Sequence, residues 1–157
     1  MQAIVCVSEN WGIGRDGQLL FHLPADLKRF RALTLGKTVL LGSRTLATFP
    51  GGKPLPERRC IVLTRSEDPI PGAETVHTVG DALALAGEDA VVIGGASIYM
   101  MMLPHCDRVR VTKVHAAPEA DSFFPNLDAH PDWRVESESE PMEEDGFTFR
   151  FVDYVRK

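Results

Sequence analysis

Ala90-Val91-Val92-Ile93-Gly94-Gly95-Ala96-Ser97-Ile98-Tyr99 runs an apolar strand into two glycines and then directly into a helical pattern. A strand that ends in glycine and opens a helix is the repeating unit of an α/β sheet. The glycines allow close backbone approach, and the helix N-terminus offers unpaired N–H groups, so a phosphate could sit there. The pair is not the GxGxxG fingerprint, and a tight strand-to-helix turn that needs positive φ accounts for it equally well.

Two further strand ends have the same character: Leu41-Gly42-Ser43-Arg44-Thr45 and Leu63-Thr64-Arg65-Ser66. Each supplies one arginine and hydroxyls, which suit phosphate oxygens. Taken singly, each reads as a solvated loop. In one α/β sheet, however, ligands bind beyond the carboxyl ends of the strands, where all three turns would gather. A phosphorylated dinucleotide is the best single explanation of the three together.

Apolar stretches that read as strands recur at Ala3–Val7, Thr38–Leu41, Cys60–Leu63, Thr75–Val79, Ala90–Ile93, Val109–Val114, Trp133–Glu138 and Phe147–Tyr154. Helical patterns fall between them at Pro24–Leu33, at Asp81–Ala86 with Asp81 as its cap, and at Ser97–Leu103 before Pro104. Late in the chain, Phe147, Phe149 and Phe151 alternate with polar or smaller residues after an Asp145-Gly146 turn signal. The expected fold is α/β: one three-layer αβα domain over residues 1–157, with a mainly parallel, mixed eight-stranded sheet and an antiparallel C-terminal edge.

Bulk properties bound the function. No apolar run approaches the length of a membrane span. Met1–Val7 reads straight into a strand, with no basic leader, so no signal peptide is expected. Three scattered cysteines, Cys6, Cys60 and Cys106, fit a reduced cytoplasmic setting better than a disulfide framework. The histidines show no metal-ligand spacing, and no metal is expected. A net charge of −5 argues against nucleic acid as a partner, so an anionic ligand needs a locally positive site.

The segment Phe21-His22-Leu23-Pro24-Ala25-Asp26-Leu27-Lys28-Arg29-Phe30 carries the chemistry. At about 100° per residue with Asp26 at zero, Phe30, Leu23, Leu27 and Leu33 fall within about 100° of it. Asp26 therefore sits inside the apolar arc. It is either an ordinary first-turn acid favoured by the helix dipole or a carboxylate aimed at a ligand. An acid facing a core needs a donor or a proton, and paired N–H groups such as an aminopyrimidine edge would satisfy it. Such a carboxyl, its pKa raised by desolvation, could help protonate a substrate. Farther along, the prolines of Gly51-Gly52-Lys53-Pro54-Leu55-Pro56 stiffen a loop before Arg58, which could clamp a carboxylate or lie free in solvent.

Together these segments resemble dihydrofolate reductase from Ile4 to about Tyr154. The matching motifs appear in that family's order: Gly12-Ile13-Gly14, Leu23-Pro24-x-Asp26-Leu27-x-x-Phe30, Gly42-x-Arg44-Thr45 and Pro54-Leu55-Pro56-x-Arg58. Ile93-Gly94-Gly95-x-x-Ile98-Tyr99 and Ala120-Asp121-x-x-Phe124-Pro125 complete the series. The resemblance implies NADPH-dependent reduction of dihydrofolate to tetrahydrofolate, in service of one-carbon metabolism, by a cytoplasmic monomer open to antifolate inhibitors.

It further implies that Asp26 binds the pterin and assists its protonation, with Thr112 supporting it. Ile4, Val5, Leu27, Phe30, Phe49, Leu55 and Ile93 would line the folate pocket, and Arg58 would take the glutamate α-carboxylate. Cys6, Ile13, Gly14, Leu19 and Tyr99 would flank the nicotinamide. Arg44, Thr45, Gly94, Gly95, Ala96, Ser97 and Ile98 would hold the pyrophosphate, with Gly94-Gly95 joined by a cis peptide. Thr64, Arg65 and Ser66 would read a ribose 2′-phosphate. The chain departs from the family at Leu20-Phe21, where Pro-Trp is usual, and at Ser43, where an arginine often contributes. The segment Glu9–Leu20, with its glycines, would be a mobile loop over the nicotinamide, its backbone capped by Asp121. The alternatives carried forward are a sister reductase such as that of riboflavin synthesis, and a silent nucleotide- or folate-binding module.

Overall fold

Apolar residues at every second position commit the chain's first strand to a sheet buried on both faces. Ala3, Val5 and Val7 enter one core cluster, while Ile4 enters another. The computed structural model describes all 157 residues. Its elements, in order, are β1 (Gln2–Val7), β2 (Gly12–Arg15), β3 (Gln18–Leu19), α1 (Pro24–Thr34), β4 (Thr38–Gly42), α2 (Ser43–Ala47), β5 (Arg59–Leu63) and β6 (Ala73–Val76). They continue as α3 (Val79–Ala86), β7 (Val91–Gly94), α4 (Ala96–Met102), β8 (Arg108–Val114), β9 (Ser122–Phe123), β10 (Trp133–Glu138), β11 (Met142–Glu144) and β12 (Phe147–Arg156).

The main sheet has the order β10-β12-β8-β1-β7-β4-β5-β6, and β11 pairs with β12 beside that path. The six strands from β8 to β6 are parallel. β12 runs antiparallel to β8, and both β10 and β11 run antiparallel to β12. This is the expected mixed sheet, with β11 as an added short strand. β7 inserts between β1 and β4, so the crossover leaving it through α4 passes β1 on the way to β8. Connections therefore diverge at the carboxyl ends of β1 and β7, where open α/β sheets hold their ligands.

α3 and α4 cover one face, burying Ala82, Ala86, Ile98, Tyr99 and Met102 against it. α1 covers the other, with Phe30 and Leu33 against a cluster that contains Ile4, Val39, Leu41, Val91 and Ile93. α1 has Leu23 at its N-cap with no side-chain cap of its own, and Pro24 at its start. A distant residue completes it: Glu144 Oε1 on β11 accepts from the Ala25 N–H at 2.8 Å.

Element boundaries depart furthest from the sequence reading around β6 and the start of α3. The strand expected at Thr75–Val79 is β6, Ala73–Val76, because Thr78 turns out of the strand to cap α3. Asp81 is not the cap; its N–H donates to Thr78 Oγ1 at 3.0 Å. β2 and β3, within the Glu9–Leu20 segment read as a mobile loop, form a small separate sheet with β9. No helix is long and apolar enough to cross a membrane.

Candidate active site

Strand register places the acid. Cys6 on β1 lies beside Thr112 on β8, and Thr112 lies beside Phe151 on β12. These positions share the sheet face that α1 covers, and Asp26 in the first turn of α1 meets Cys6 and Thr112 there. Thr112 Oγ1 donates to Asp26 Oδ1 at 2.6 Å. Burial pushes the Asp26 carboxyl above its ordinary pKa. The Thr112 hydroxyl, the Arg29 guanidinium and the Cys6 thiol each oppose that rise by favouring the anion. Burial also lifts the Cys6 thiol and the Tyr99 phenol well above their usual values, so both stay uncharged at neutral pH. The result is one proton-handling carboxyl in an apolar surround.

Beside it, Phe30, Phe49 and Leu55 pack on the cluster that contains Ile4 and Ile93. Leu27, next to Asp26 in the chain, leaves half its surface open at 51% exposure. A half-open apolar wall with one acid in its floor suits a flat ring bearing adjacent N–H donors. Phe21 is buried and packs edge-on to Phe147, with ring centroids 5.3 Å apart. That side of the pocket is apolar and offers no indole donor.

Arg58 lies at the far end of the wall. Its Nε donates to Thr34 Oγ1 at 3.1 Å, and Nη1 donates to the Pro56 carbonyl at 2.8 Å. Neutral acceptors fix its position and no carboxylate neutralises it, so its charge remains available for an anion. Arg44 and Arg65 likewise pair with no carboxylate, whereas Arg15, Arg29, Arg59, Arg108, Arg110 and Arg150 all do.

The glycine turns converge as their strands require. The Gly94-Gly95 peptide is cis, and Gly94 has φ 126°. A Cβ on Gly95 would come within 3.2 Å of Thr45 Oγ1, and one on Gly42 within 2.9 Å of Ile98 Cγ1. The ends of β4 and β7 are therefore packed backbone-close, with Thr45 between them and Ala96 and Ser97 opening α4. Thr64, Arg65 and Ser66 follow β5, next in the sheet, and the Ser66 N–H donates to Thr64 Oγ1 at 3.1 Å. This edge of hydroxyls, backbone and free guanidinium suits a dinucleotide's phosphates.

Ile13 and Tyr99 join the core on the α4 side, and the Tyr99 hydroxyl donates to the Ile4 carbonyl at 2.6 Å. Leu19 is 57% exposed, opposite Gly14 in the β2–β3 hairpin. Asp121 Oδ2 accepts from the Asp16 N–H at 2.9 Å, the cap expected of it, and Arg15 is ion-paired to Glu119.

Two residues lie elsewhere than expected. Val5 points into the core on the α3–α4 face, away from the pocket side of β1, because strand side chains alternate. Cys6, expected along the nicotinamide, sits at Asp26. The sequence reading missed Thr34 as the support of Arg58 and Glu144 as the cap of α1. Thr34 stands about 80° from Asp26 on the helical wheel, inside the apolar arc, so its position was available. Glu144 comes from a strand 119 positions on, and no local signal carries it.

Comparison with known proteins agrees with this geometry. The dihydrofolate reductase family matches residues 1–156. The chain is 39% identical over 158 residues to a dihydrofolate reductase of Neisseria gonorrhoeae, covering 98% of this chain and 96% of that protein. It is 33% identical over 159 residues to that of Bacillus subtilis strain 168, covering 98% and 93%. A solved structure of dihydrofolate reductase from Enterococcus faecalis, complexed with NADP(H) and RAB-propyl, is 34% identical. It superimposes with a TM-score of 0.88 over 99% of this chain and 95% of the other. On its motifs, its sheet order and these relatives, the chain belongs to the dihydrofolate reductase family.

Proposed function

We infer that this chain is an enzyme that reduces 7,8-dihydrofolate to tetrahydrofolate with NADPH. One observation carries the mechanism. The only carboxyl on the apolar wall is held by Thr112, and burial raises its pKa. Bound NADPH supplies the hydride. Asp26 takes the N–H edge of the pterin and keeps the proton that the imine nitrogen needs. Ile4, Leu27, Phe30, Phe49, Leu55 and Ile93 exclude water and orient the ring. Arg58 takes the glutamate α-carboxylate.

Arg44, Thr45 and the turn from Gly94 to Ile98 hold the pyrophosphate, and Thr64, Arg65 and Ser66 hold the 2′-phosphate. Ile13, Gly14, Leu19 and Tyr99 flank the nicotinamide. Cys6 and Val5 border the site through the backbone of β1, with the Cys6 thiol directed to the acid. A proton must be present on Asp26, so the rate falls as pH rises through the raised pKa, in a single main ionisation.

The reading extends to one domain over residues 1–157, because β1 and β12, from opposite ends of the chain, both pair with β8. It extends also to a monomer in the cytoplasm, acting on small molecules and inhibited by antifolates. Leu35, Leu85 and Val135, exposed outside the cleft, stand on separate segments, and Met100 and Met101 are the exposed apolar pair on α4.

The test is NADPH consumption by the purified protein with dihydrofolate, against NADH and against no substrate. Oxidation that requires dihydrofolate and prefers NADPH is the expected result. Tight NADPH binding without turnover would move the chain to a sister reductase or a silent binder.

A further inference from the structure

Behind Asp26 lies a charged cluster that neither the pocket nor the phosphate sites use. Arg29, one turn along α1 from Asp26, donates from Nη2 to Asp153 Oδ1 on β12 at 2.9 Å. Arg110 on β8 donates from Nη1 to the other oxygen, Asp153 Oδ2, at 2.8 Å, and from Nε to Gln2 Oε1 at 3.1 Å. The Arg29 guanidinium carbon stands 4.2 Å above the Phe151 ring. The side chains of Arg29 and Asp153 are only 17% and 13% exposed, so these charges act with little screening by water.

The register explains the cluster. Arg110 pairs across from Asp153, and Thr112 pairs across from Phe151. Residues two apart share a sheet face. The face that delivers Thr112 to Asp26 therefore also delivers Phe151 and Asp153 to Arg29, and α1 is gripped at both points.

We propose that Arg29, seated on Phe151 and shared through Asp153 with Arg110, is a positioning residue that sets the pH at which Asp26 gives up its proton. The groups facing Asp26 leave it that role. Cys6 on β1 and Tyr99 on α4 are uncharged at neutral pH, and Thr112 on β8 is a neutral donor. Glu144 on β11 is engaged with the helix N-terminus, and Lys28 points to solvent. Arg29 is the charged side chain that acts on the Asp26 carboxyl, and it favours the anion. The trio of two guanidiniums and one carboxylate carries one net positive charge. Asp153 moderates the pull of Arg29, and Arg110 limits how much of Asp153 is available for that moderation.

The inference rests on Asp26 as the proton-handling group, and the experiment separates the two. Hydride transfer is followed in single turnovers against pH, so that product release does not mask the chemical step. Arg29→Met removes the near charge while Asp153 keeps Arg110, so no buried charge is orphaned. The fall in rate should move to higher pH by roughly half a unit to one unit. Arg29→Lys keeps the charge and should restore the wild-type profile. Asp153→Asn frees both guanidiniums and should move the fall to lower pH; if it does not fold, the Met and Lys variants still decide.

A helix clamp with no electrostatic role would change unfolding temperature and leave all the profiles superimposed. Superimposed profiles, with Asp26→Asn slow and pH-independent, overturn the role of Arg29 and leave Asp26 in place. A wild-type profile in Asp26→Asn overturns both.

Discussion

The two ends of the cleft are built in opposite ways. Around Asp26, side chains from α1, β1, β8 and β12 bond or pack directly against one another before any ligand arrives. Around the phosphate turns, the ligand-facing groups are backbone, hydroxyls and the exposed, unpaired Arg44 and Arg65. The first is a low-dielectric site in which each polar contact is strong and each missing one is expensive. The second is wet and screened, and its cations work largely as a field. Changes at the acid end should therefore be large and pH-dependent, while changes at the phosphate end should be smaller and salt-dependent.

The largest expected effect is Asp26→Asn, which removes the proton-handling group and leaves the shape of the pocket intact. Single-turnover hydride transfer at neutral pH should fall by about 10²–10⁴-fold. NADPH affinity, by fluorescence titration, should stay within a few-fold; a parallel loss would mean that the two ends are coupled rather than separate. Next is Arg58→Met. A charge-assisted hydrogen bond is worth about 1.5–3 kcal/mol, so KM for dihydrofolate should rise about 10–100-fold with kcat little changed. A pterin substrate lacking the glutamate tail should not feel the substitution, and equal damage to both substrates would remove the carboxylate role. Smaller again is Arg65→Ser. KM for NADPH should rise about tenfold at low salt and by less at high salt, with KM for NADH unmoved.

How far these ends were legible in the sequence follows the same division. The phosphate turns announce themselves, because Gly42, Arg44, Thr45, Gly94 and Gly95 act through local strand-to-helix geometry. Asp26 was visible on the helical wheel because it breaks an apolar arc. Its surroundings are not legible from the residues themselves. Thr112 is implied only by the family resemblance. Cys6 reaches Asp26, and Phe151 and Asp153 reach Arg29, through the register of β1, β8 and β12, a property of pairing between distant segments.

The family resemblance implies Val5 in the pocket, yet strand alternation turns its side chain to the other core. The β2–β3 hairpin could have been read. Asp16-Gly17 has the same turn chemistry as Asp145-Gly146, with φ of 52° and 76° against 53° and 82°. The first gives a weaker signal because its flanking strands are only 4 and 2 residues long and carry little alternation.

The smallest expected effect is on stability, and it tests whether the acid end is strained by its function. Asp26 has its pKa raised in the folded chain, chiefly by burial. Below the ordinary carboxylate range it is protonated in both folded and unfolded states and contributes nothing. As pH rises, the unfolded chain ionises first, and the penalty on the folded state grows until pH passes the raised pKa and stays at its full size above it. Asn at the same position still accepts from Thr112 and carries no ionisation to penalise. Asp26→Asn should therefore unfold at a slightly higher temperature than wild type at mildly alkaline pH, with the gap closing in acid. Thermal unfolding at the two pH values reads this directly. A gap that stays constant with pH would place the strain in packing rather than in charge. An Asn variant less stable at alkaline pH, with that gap closing in acid, would mean that Arg29 and Thr112 already outweigh burial. The phosphate end predicts no such term, because Arg44 and Arg65 keep their water in the folded chain, and replacing either should leave the unfolding temperature where it is at every pH.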